Sequence, residues 1–505
     1  MTGSSGCRKI PLVRTSPISL PARATALLAS ALLDAACGGS SSSSAPAVRA
    51  SLTQVSFASA LSASCGTAPG IAGAAFTPNS AVQPQLAAGP AVQLFGLWEQ
   101  DRWNAVGARA IEFARSADGG SSWSSGQPLP FSACGASAGV GAGYDRASDP
   151  SISVTSGGGS SLILASALAF SAGGYLGSGG TSAVLVTRSL DGGSTWQAPV
   201  AVIADTGSGS GSGPFYFNDR DAIAADPNSG HVYLVWDRLS SDPTAAMPTW
   251  MAHSADDGLT WDPARIIYDP GAGNQTFNNQ PLVLADGSVV DIFTQPNGFF
   301  GQLMAIRSTD HGATWPATGA AVVIANMTPV GTQNPISGGH MAQTAVDATS
   351  AKLAAVWQES SFSGGARDGI ALSLSADGGA TWSAPVQVNT APAVAAFDPS
   401  VHFGSAGRIA VTYYDFRDYV AGSSILSTSL WLRESADGGK SWTETRLYGP
   451  FNLNTAPPAD QQSGSTGNAL FLGDQQALAW NGAAWSALFS GTDAQGAQVF
   501  CAIAP

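Results

Sequence analysis

Side chains capable of catalysis gather in a few short segments of this chain, although charged residues are only 11% of its 505 residues. These segments lie where apolar runs begin or end, at 98–102, 146–149, 218–221, 236–238, 358–359 and 413–418. Arginine holds a carboxylate ligand through two parallel hydrogen bonds, while aspartate, glutamate and tyrosine transfer protons or act as nucleophiles. The pattern indicates acid–base chemistry on a ligand that carries a carboxylate.

Two interpretations of these segments compete. In the functional one, the ligand-binding residues are Arg146, Arg220, Arg238, Arg417 and Trp98, and the catalytic residues are Tyr414, Glu359, Asp149 and Asp221. In the structural one, Asp–Arg pairs between neighbouring repeats hold the fold together, because a charge that is buried without a partner is costly. Pairs at equivalent positions of several repeats favour the structural interpretation.

The elements that position these residues are defined by an octapeptide, Ser-x-Asp-x-Gly-x-Ser/Thr-Trp, that occurs six times, from Ser116, Ser189, Ser254, Ser308, Ser375 and Ser435. Each copy follows an apolar run and precedes another, so it joins two strands of a hairpin. The Asp accepts backbone hydrogen bonds across the turn, and the Gly supplies a positive φ. We therefore assign Asp118, Asp191, Asp256, Asp310, Asp377 and Asp437 to turn formation.

The octapeptide resembles the Asp box of the sialidase superfamily. Inner hairpins, seven in all, lie before the first copy, between successive copies and after the last, and each set of inner hairpin and Asp-box hairpin has the length of one four-stranded sheet. The resemblance implies an all-β propeller with Asp-box turns, and the count of seven inner hairpins predicts a single seven-bladed β-propeller, with six blades as the alternative. The seventh blade has no Asp box, and residues 47–64 can supply its missing outer strand.

The same resemblance implies an exo-acting glycoside hydrolase on glycans that end in an acidic sugar. Catalytic members have an arginine triad, a Tyr–Glu pair and an arginine-containing segment before the first inner strand. In this chain that segment, 76–82, contains no arginine. The alternative function is therefore a non-catalytic surface propeller that binds carbohydrate or protein, and both readings make a glycan or glycoprotein the partner.

The N-terminal segment has the pattern of an export signal. Basic residues precede the apolar run 24–33, and Cys37 is followed by Gly38-Gly39 and five serines. We predict an export signal over 1–37, a Ser-rich tether over 38–46 and the propeller over 47–505. The cysteine resembles a bacterial lipidation site, although Asp34 stands where that pattern has leucine. The protein is then extracytoplasmic, lipid-anchored through Cys37 or secreted, and touches a membrane only through the anchor.

Cysteines outside the cytoplasm tend to pair, and removal of the signal leaves Cys65, Cys134 and Cys501. Cys65 and Cys134 flank the same repeat, which favours a Cys65–Cys134 disulfide. A Cys65–Cys501 bridge and free buried thiols are the alternatives.

The remaining expectations concern partners and cofactors. The net charge of −13 provides no basic face for nucleic acid. The five histidines have no metal-ligand spacing, so we predict no metal site and no cofactor, with calcium at loop aspartates as the alternative. We expect a monomer.

Overall fold

The computed structural model describes residues 50–68, 73–157, 160–171, 181–206, 214–298, 300–317, 319–331, 339, 341–459 and 469–505. These residues belong to one compact unit, Val48–Pro505. The predicted signal, the tether and Cys37 lie outside the described residues.

Apart from short 3₁₀ turns, the regular structure of the described residues consists of β-strands, which confirms the all-β prediction. In chain order the strands are β1 (Ser51–Gln54), β2 (Ala81–Ala88), β3 (Leu94–Arg102), β4 (Ala108–Ser116), β5 (Gln127–Pro128), β6 (Arg146–Gly157), β7 (Ser160–Phe170), β8 (Thr181–Ser189), β9 (Val200–Thr206), β10 (Tyr216–Ala225), β11 (Val232–Ser240), β12 (Thr249–Ser254), β13 (Arg265–Tyr268), β14 (Phe277–Val283), β15 (Val289–Asn297), β16 (Phe300–Ser308), β17 (Val322–Met327), β18 (Gln343–Val346), β19 (Leu353–Glu359), β20 (Gly369–Ser375), β21 (Val386–Gln387), β22 (Ala396–Phe403), β23 (Ile409–Asp415), β24 (Ser427–Ser435), β25 (Thr443–Asn452), β26 (Ala477–Trp480), β27 (Trp485–Asp493) and β28 (Gly496–Ala504).

The strands form antiparallel four-stranded units that follow one another along the chain. Sheet 1 is β2–β5, sheet 2 is β6–β9, sheet 3 is β10–β13, sheet 4 is β14–β17, sheet 5 is β18–β21 and sheet 6 is β22–β25. One residue pair, Ala108 and Ala147, joins sheets 1 and 2. Sheet 7 contains β26, β27 and β28, and β1 pairs with β28 as its fourth strand. Residues from the predicted 47–64 segment therefore supply that outer strand.

Each sheet packs against the next, and sheet 7 packs against sheet 1. Buried residues of adjacent sheets share one hydrophobic cluster: Phe113 and Ile163, Val184 and Trp236, Met251 and Phe293, Ile292 and Trp357, Val356 and Tyr413, Tyr414 and Phe489, and Leu488 and Trp98. Because most sheets are covered on both faces, their strands are apolar on both sides and show little alternation.

The six Asp boxes share one hydrogen-bond pattern. In the fourth copy, Asp310 Oδ1 accepts from Ser308 Oγ at 2.7 Å and from Thr314 N at 2.9 Å, while Thr314 Oγ1 donates to Oδ2 at 2.6 Å. These bonds favour the carboxylate and lower the pKa of Asp310 to about 2. Gly312 has φ of 76°, which other residues resist. The assignment of the box aspartates to turn formation is confirmed.

Three of the Asp boxes are immediately preceded by an arginine, and each of these arginines hydrogen-bonds to the next sheet. Arg115 Nη1 donates to Gly192 O at 2.8 Å, Arg188 Nη1 to Asp257 O at 3.1 Å and Arg307 Nη1 to Asp377 O at 3.4 Å. Each acceptor belongs to the Asp box of the following sheet. In the third copy the equivalent residue is His253, so the contact between sheets 3 and 4 is different.

Three histidines stack at this position, and the arginine contact to the Asp box of sheet 4 comes instead from Arg265 of β13, which donates to Gly312 O. The His231 ring stacks against His253 at 4.9 Å and against His311, in the Asp box of sheet 4, at 4.8 Å between centroids. His253 Nδ1 lies 3.0 Å from Asp262 Oδ2, and His231 Nδ1 lies 2.7 Å from His253 Nε2. That nitrogen–nitrogen contact has room for one hydrogen, so one ring donates across it and the other accepts.

We expect acid to destabilise the protein through this cluster. Burial, His253 and His311 hold the pKa of His231 below its unfolded value of 6.5, against the opposing effect of Asp226. A His pKa that is lower in the folded state gives stability that is present above pH 6.5 and is lost as the pH falls through the folded pKa. Thermal unfolding at pH 7.5 and pH 5.0 measures the effect.

The matched variant is His253→Gln, which retains a hydrogen-bonding group but cannot be protonated. It should narrow the difference in melting temperature between the two pH values. Part of the difference should remain, because burial also lowers the pKa of His402. An unchanged pH dependence in His253→Gln would contradict the role of the cluster.

Candidate active site

The innermost strands of five sheets carry a β-bulge near the end that is opposite the Asp boxes. In β2, β6, β10, β14 and β22 the pairing register shifts by one residue at this point. A non-glycine residue at each bulge has positive φ: Gln83 (55°), Asp149 (52°), Arg220 (50°), Asn278 (58°) and Asp398 (48°). Backbone conformations of this kind are costly and concentrate at functional sites.

Side chains at and beside four of these bulges, those of β2, β6, β10 and β14, line a cavity of about 190 Å³. Its principal polar residues are Gln85, Asp149, Arg220, Asp221, Asn278 and Gln280. The volume is below the roughly 300–1,000 Å³ of sites for drug-sized ligands, so the cavity suits one small polar ligand.

Arg220 carries the positive charge of this cavity. Its Nη2 donates to Asp474 Oδ2 at 2.8 Å, its guanidinium lies 4.6 Å from the centre of the Phe277 ring, and its side chain is 14% exposed. Asp474, Asp149 and Asp219 raise the pKa of Arg220 against the effect of burial. Burial raises the pKa of Asp219 to about 8, and the nearby Arg220 opposes this effect only in part. The site thus balances one cation against several acids.

Asp221 is suited to donate a proton into the cavity. It is buried, and this burial raises its pKa well above the usual range of a carboxyl group. Asp149 and Asp219 add to the shift, and the nearby Ser166 hydroxyl opposes it. Asp149, which also lines the cavity, accepts a hydrogen bond from Gln83 Nε2 at 2.7 Å. The structure therefore brings together three predicted residues: Asp149, Arg220 and Asp221.

Tyr414 does not belong to this site, and its prediction as a catalytic residue is wrong. The side chain is fully buried between sheets 6 and 7, where it packs on Phe397 and Phe451. Its hydroxyl donates to Ser490 O at 2.6 Å. No substrate can reach it, because its position in β23 directs the ring into the core.

Glu359 is a structural residue rather than a catalytic one. Its carboxylate accepts hydrogen bonds from Thr328 Oγ1, from Ser361 N at 2.9 Å and from Trp357 Nε1 at 3.2 Å. These bonds outweigh burial and lower its pKa. The carboxylate therefore anchors the chain around Thr328 and Ser361.

The other three predicted arginines do not join Arg220 in one site. Arg238 pairs with Asp205 of sheet 2, Arg417 pairs with Asp415 at 2.6 Å and Glu444 at 2.8 Å, and Arg146 donates to Val106 O at 3.0 Å. Arg417 also stacks on Trp431 and Arg146 on Trp103. The prediction of one arginine cluster is wrong, because each guanidinium is held by its own carboxylate or carbonyl.

Trp98 is also a core residue, since it is fully buried and donates from Nε1 to Gln100 Oε1 at 2.9 Å. The pair between Arg238 of sheet 3 and Asp205 of sheet 2 is the kind of contact that the structural interpretation predicts.

The amides of the cavity were missed by sequence reasoning. Gln280 Nε2 and Asn278 Nδ2 both donate to Ala342 O, at 2.9 and 2.8 Å, and Gln280 Oε1 accepts from Thr344 Oγ1 at 2.7 Å. The sequence did carry a signal for these amides. Polar residues stand near the starts of the inner strands, and a buried amide there needs a hydrogen-bond partner.

Cys65 and Cys134 form a disulfide, the pairing that the sequence favoured, and Cys501 is a buried free thiol. In the described part of the chain, no group of three or more His, Cys, Asp or Glu residues is arranged to hold a metal ion. No described helix is long and apolar enough to cross a membrane.

Comparisons with known proteins give one match to a family model. Residues 159–394 match the family model of the BNR repeat-like domain. No curated protein sequence matches significantly.

Similar solved structures include a Penicillium chrysogenum alpha-L-arabinanase, with 13% identity over 85% of this chain and 94% of that one and a TM-score of 0.42. A Trypanosoma rangeli sialidase has 11% identity over 84% of this chain and a TM-score of 0.43, and this chain covers 54% of it. A Streptococcus pneumoniae sialidase has 14% identity over 89% of this chain and 70% of that one, with a TM-score of 0.42. The resemblance to the sialidase superfamily is confirmed by the match of residues 159–394 to the model of the BNR repeat-like domain.

Proposed function

We propose that this protein is a seven-bladed β-propeller that binds the terminal sugar of a glycan in the cavity at the bulged ends of its inner strands. The seven four-stranded units, each packed on the next and the last on the first, support the number of blades. The convergence of three strained bulge residues, Asp149, Arg220 and Asn278, on one polar cavity carries the assignment of the site.

The chemistry of the cavity supports a sugar ligand. A sugar hydroxyl both donates and accepts hydrogen bonds, and Gln85, Asn278 and Gln280 offer amide groups of both kinds. Arg220 can also attract an acidic group of the sugar, although it must share its donors with Asp474. Because Arg220 is not part of an arginine triad, the cavity favours recognition of sugar hydroxyl groups over strong binding of a carboxylate.

The second candidate is exo-acting hydrolysis of glycans that end in an acidic sugar. The raised pKa of Asp221 favours it, because a protonated carboxyl can donate to the leaving glycosidic oxygen as the anomeric carbon–oxygen bond breaks. Asp149 would take a proton from the attacking water, whose oxygen bonds to the anomeric carbon. The products are the free sugar and the shortened glycan.

The expected setting is extracytoplasmic. We propose that residues 1–37 direct export and that Cys37 is lipidated, or that the chain is cleaved and secreted. The Cys65–Cys134 disulfide supports an oxidising compartment.

Calorimetric titration with N-acetylneuraminic acid, D-galactose and L-arabinose tests the proposed function. We expect one of these sugars to bind, and Gln85→Ala to weaken it about two- to tenfold, the worth of one hydrogen bond. Gln127→Ala, on the exposed outer strand of sheet 1, is the matched control and should bind normally.

A chromogenic glycoside of the sugar that binds separates the two candidates. Turnover that is lost in Asp221→Asn while binding persists supports hydrolysis, and binding without turnover supports the binding function. Absence of binding to all three sugars would contradict the proposed site.

A further inference from the structure

A second groove, of about 410 Å³, lies at the end of sheet 4 that is opposite its Asp box. It is formed around the hairpin of β15 and β16, with β17 and the segment after β13 on either side. None of the described residues that line it is charged. Its chemistry therefore differs from that of the central cavity, where acids surround Arg220.

The register of sheet 4 places the polar side chains of the groove on one face. Gln295 pairs with Gln302, and Gln302 pairs with Asn326, so three amides form a row across three strands. Two residues further along, Asn297 pairs with Phe300. Because side chains two residues apart in a strand share a face, this second row lies on the same side as the first.

Hydrogen bonds hold the amide row in place but leave capacity for a ligand. Tyr268 Oη donates to Gln295 Oε1 at 3.1 Å, and Gln302 Nε2 donates to Asn326 Oδ1 at 3.1 Å. The amide nitrogens of Gln295 and Asn326 and the Gln302 oxygen make no bond among the described contacts. An amide supplies two donors and one acceptor oxygen, so donors and acceptors alternate along the row.

Phe300 adds an apolar surface beside these amides. Its ring is 60% exposed, which is unusual for a large aromatic side chain. A pyranose or furanose ring has an apolar face and a rim of hydroxyl groups, so it can lie on Phe300 while its hydroxyls bond to the amides. We propose that this groove binds neutral sugar residues of a glycan chain.

The inference rests on the proposed function and extends it along the ligand. Asn278 and Gln280 of β14 line the central cavity, and β15–β17 of the same sheet form the groove at the same end. A glycan whose terminal residue enters the cavity can therefore continue across the edge of sheet 4, with later, uncharged residues in the groove.

The test compares sugars of two lengths on the whole protein. Maltotriose, cellotriose and arabinotriose are titrated beside glucose and arabinose, with 3′-sialyllactose as the charged probe. We expect at least one neutral trisaccharide to bind fivefold or more tightly than its monosaccharide, and Phe300→Ala to remove that gain. Phe57→Ala, which truncates a phenylalanine 59% exposed on the N-terminal segment, is the matched control and should keep the gain.

The outcomes separate the groove from the cavity. A trisaccharide that binds no more tightly than its monosaccharide, or a gain that survives both Phe300→Ala and Gln302→Ala, overturns the groove while leaving the cavity intact. Trisaccharide binding that is lost in Phe300→Ala but unaffected by Gln85→Ala supports the groove and contradicts the cavity. Binding of 3′-sialyllactose alone, unaffected by Phe300→Ala, also overturns the groove.

Discussion

Replacement of Arg220 by methionine is expected to lower the free energy of unfolding by about 3–5 kcal/mol, the usual cost of removing one partner of a buried ion pair. The Asp474 carboxylate, 6% exposed, loses its 2.8 Å partner, and Asp149 and Asp219 lose a neighbouring cation. Denaturant unfolding measures the loss.

Two further variants make this expectation specific. Arg220→Met with Asp474→Asn should recover much of the lost stability, because the uncompensated charge is removed. Arg446→Met breaks an exposed pair with Asp418 and should cost only about 0–1 kcal/mol. Equal effects of Arg220→Met and Arg446→Met would show that the charges in the cavity are not an organised cluster.

Loss of the disulfide should have a comparable effect. The bridge joins residues 69 apart in sequence, and the chain-entropy estimate for a loop of that size is about 4 kcal/mol. We expect the double variant Cys65→Ser, Cys134→Ser to unfold at a correspondingly lower denaturant concentration. The unmodified protein should approach the same unfolding midpoint when reductant is present. Thermal and denaturant unfolding with and without reductant measure this.

Cys501→Ala provides the control for the disulfide, because that buried thiol is unpaired. The variant should retain its sensitivity to reductant, since Cys65 and Cys134 remain. A Cys65→Ser, Cys134→Ser double variant as stable as the unmodified protein would show that the bridge does not constrain the chain.

The sequence was sufficient for the features that depend on local hydrogen bonds. The Asp-box turns follow from a carboxylate, a glycine and a hydroxyl at fixed offsets, and these residues find their partners within eight positions. The pairing of β1 with β28 was also foreseeable, because the last repeat lacks an outer strand and an unpaired edge needs a partner.

The sequence was insufficient for the direction of individual side chains. Tyr413 and Tyr414 are neighbours in β23, yet one packs with the cluster between sheets 5 and 6 and the other with the cluster between sheets 6 and 7. Both faces of this strand are apolar, so alternation gives no sign of which tyrosine points where. Each bulge shifts the alternation by a further residue, as at Asp149 and Arg220.

The arginines illustrate a second limit. Arg417 precedes its partner Glu444 by 27 residues, and Arg220 precedes Asp474 by 254. Such pairs depend on how sheets pack and on loop paths, which the sequence pattern does not reveal. Asp149, Arg220 and Asp221 could thus be proposed individually, but their grouping, and the amides beside them, required the structure.

The most direct test of glycan recognition at the central cavity is a crystal structure of the protein soaked with the sugar that binds in the titrations. We expect density for one sugar ring between Gln85, Arg220 and Gln280, with Asp149 and Asp221 within hydrogen-bond distance of its oxygens. A sugar bound on the Asp-box face, with the cavity containing only solvent, would contradict the assignment.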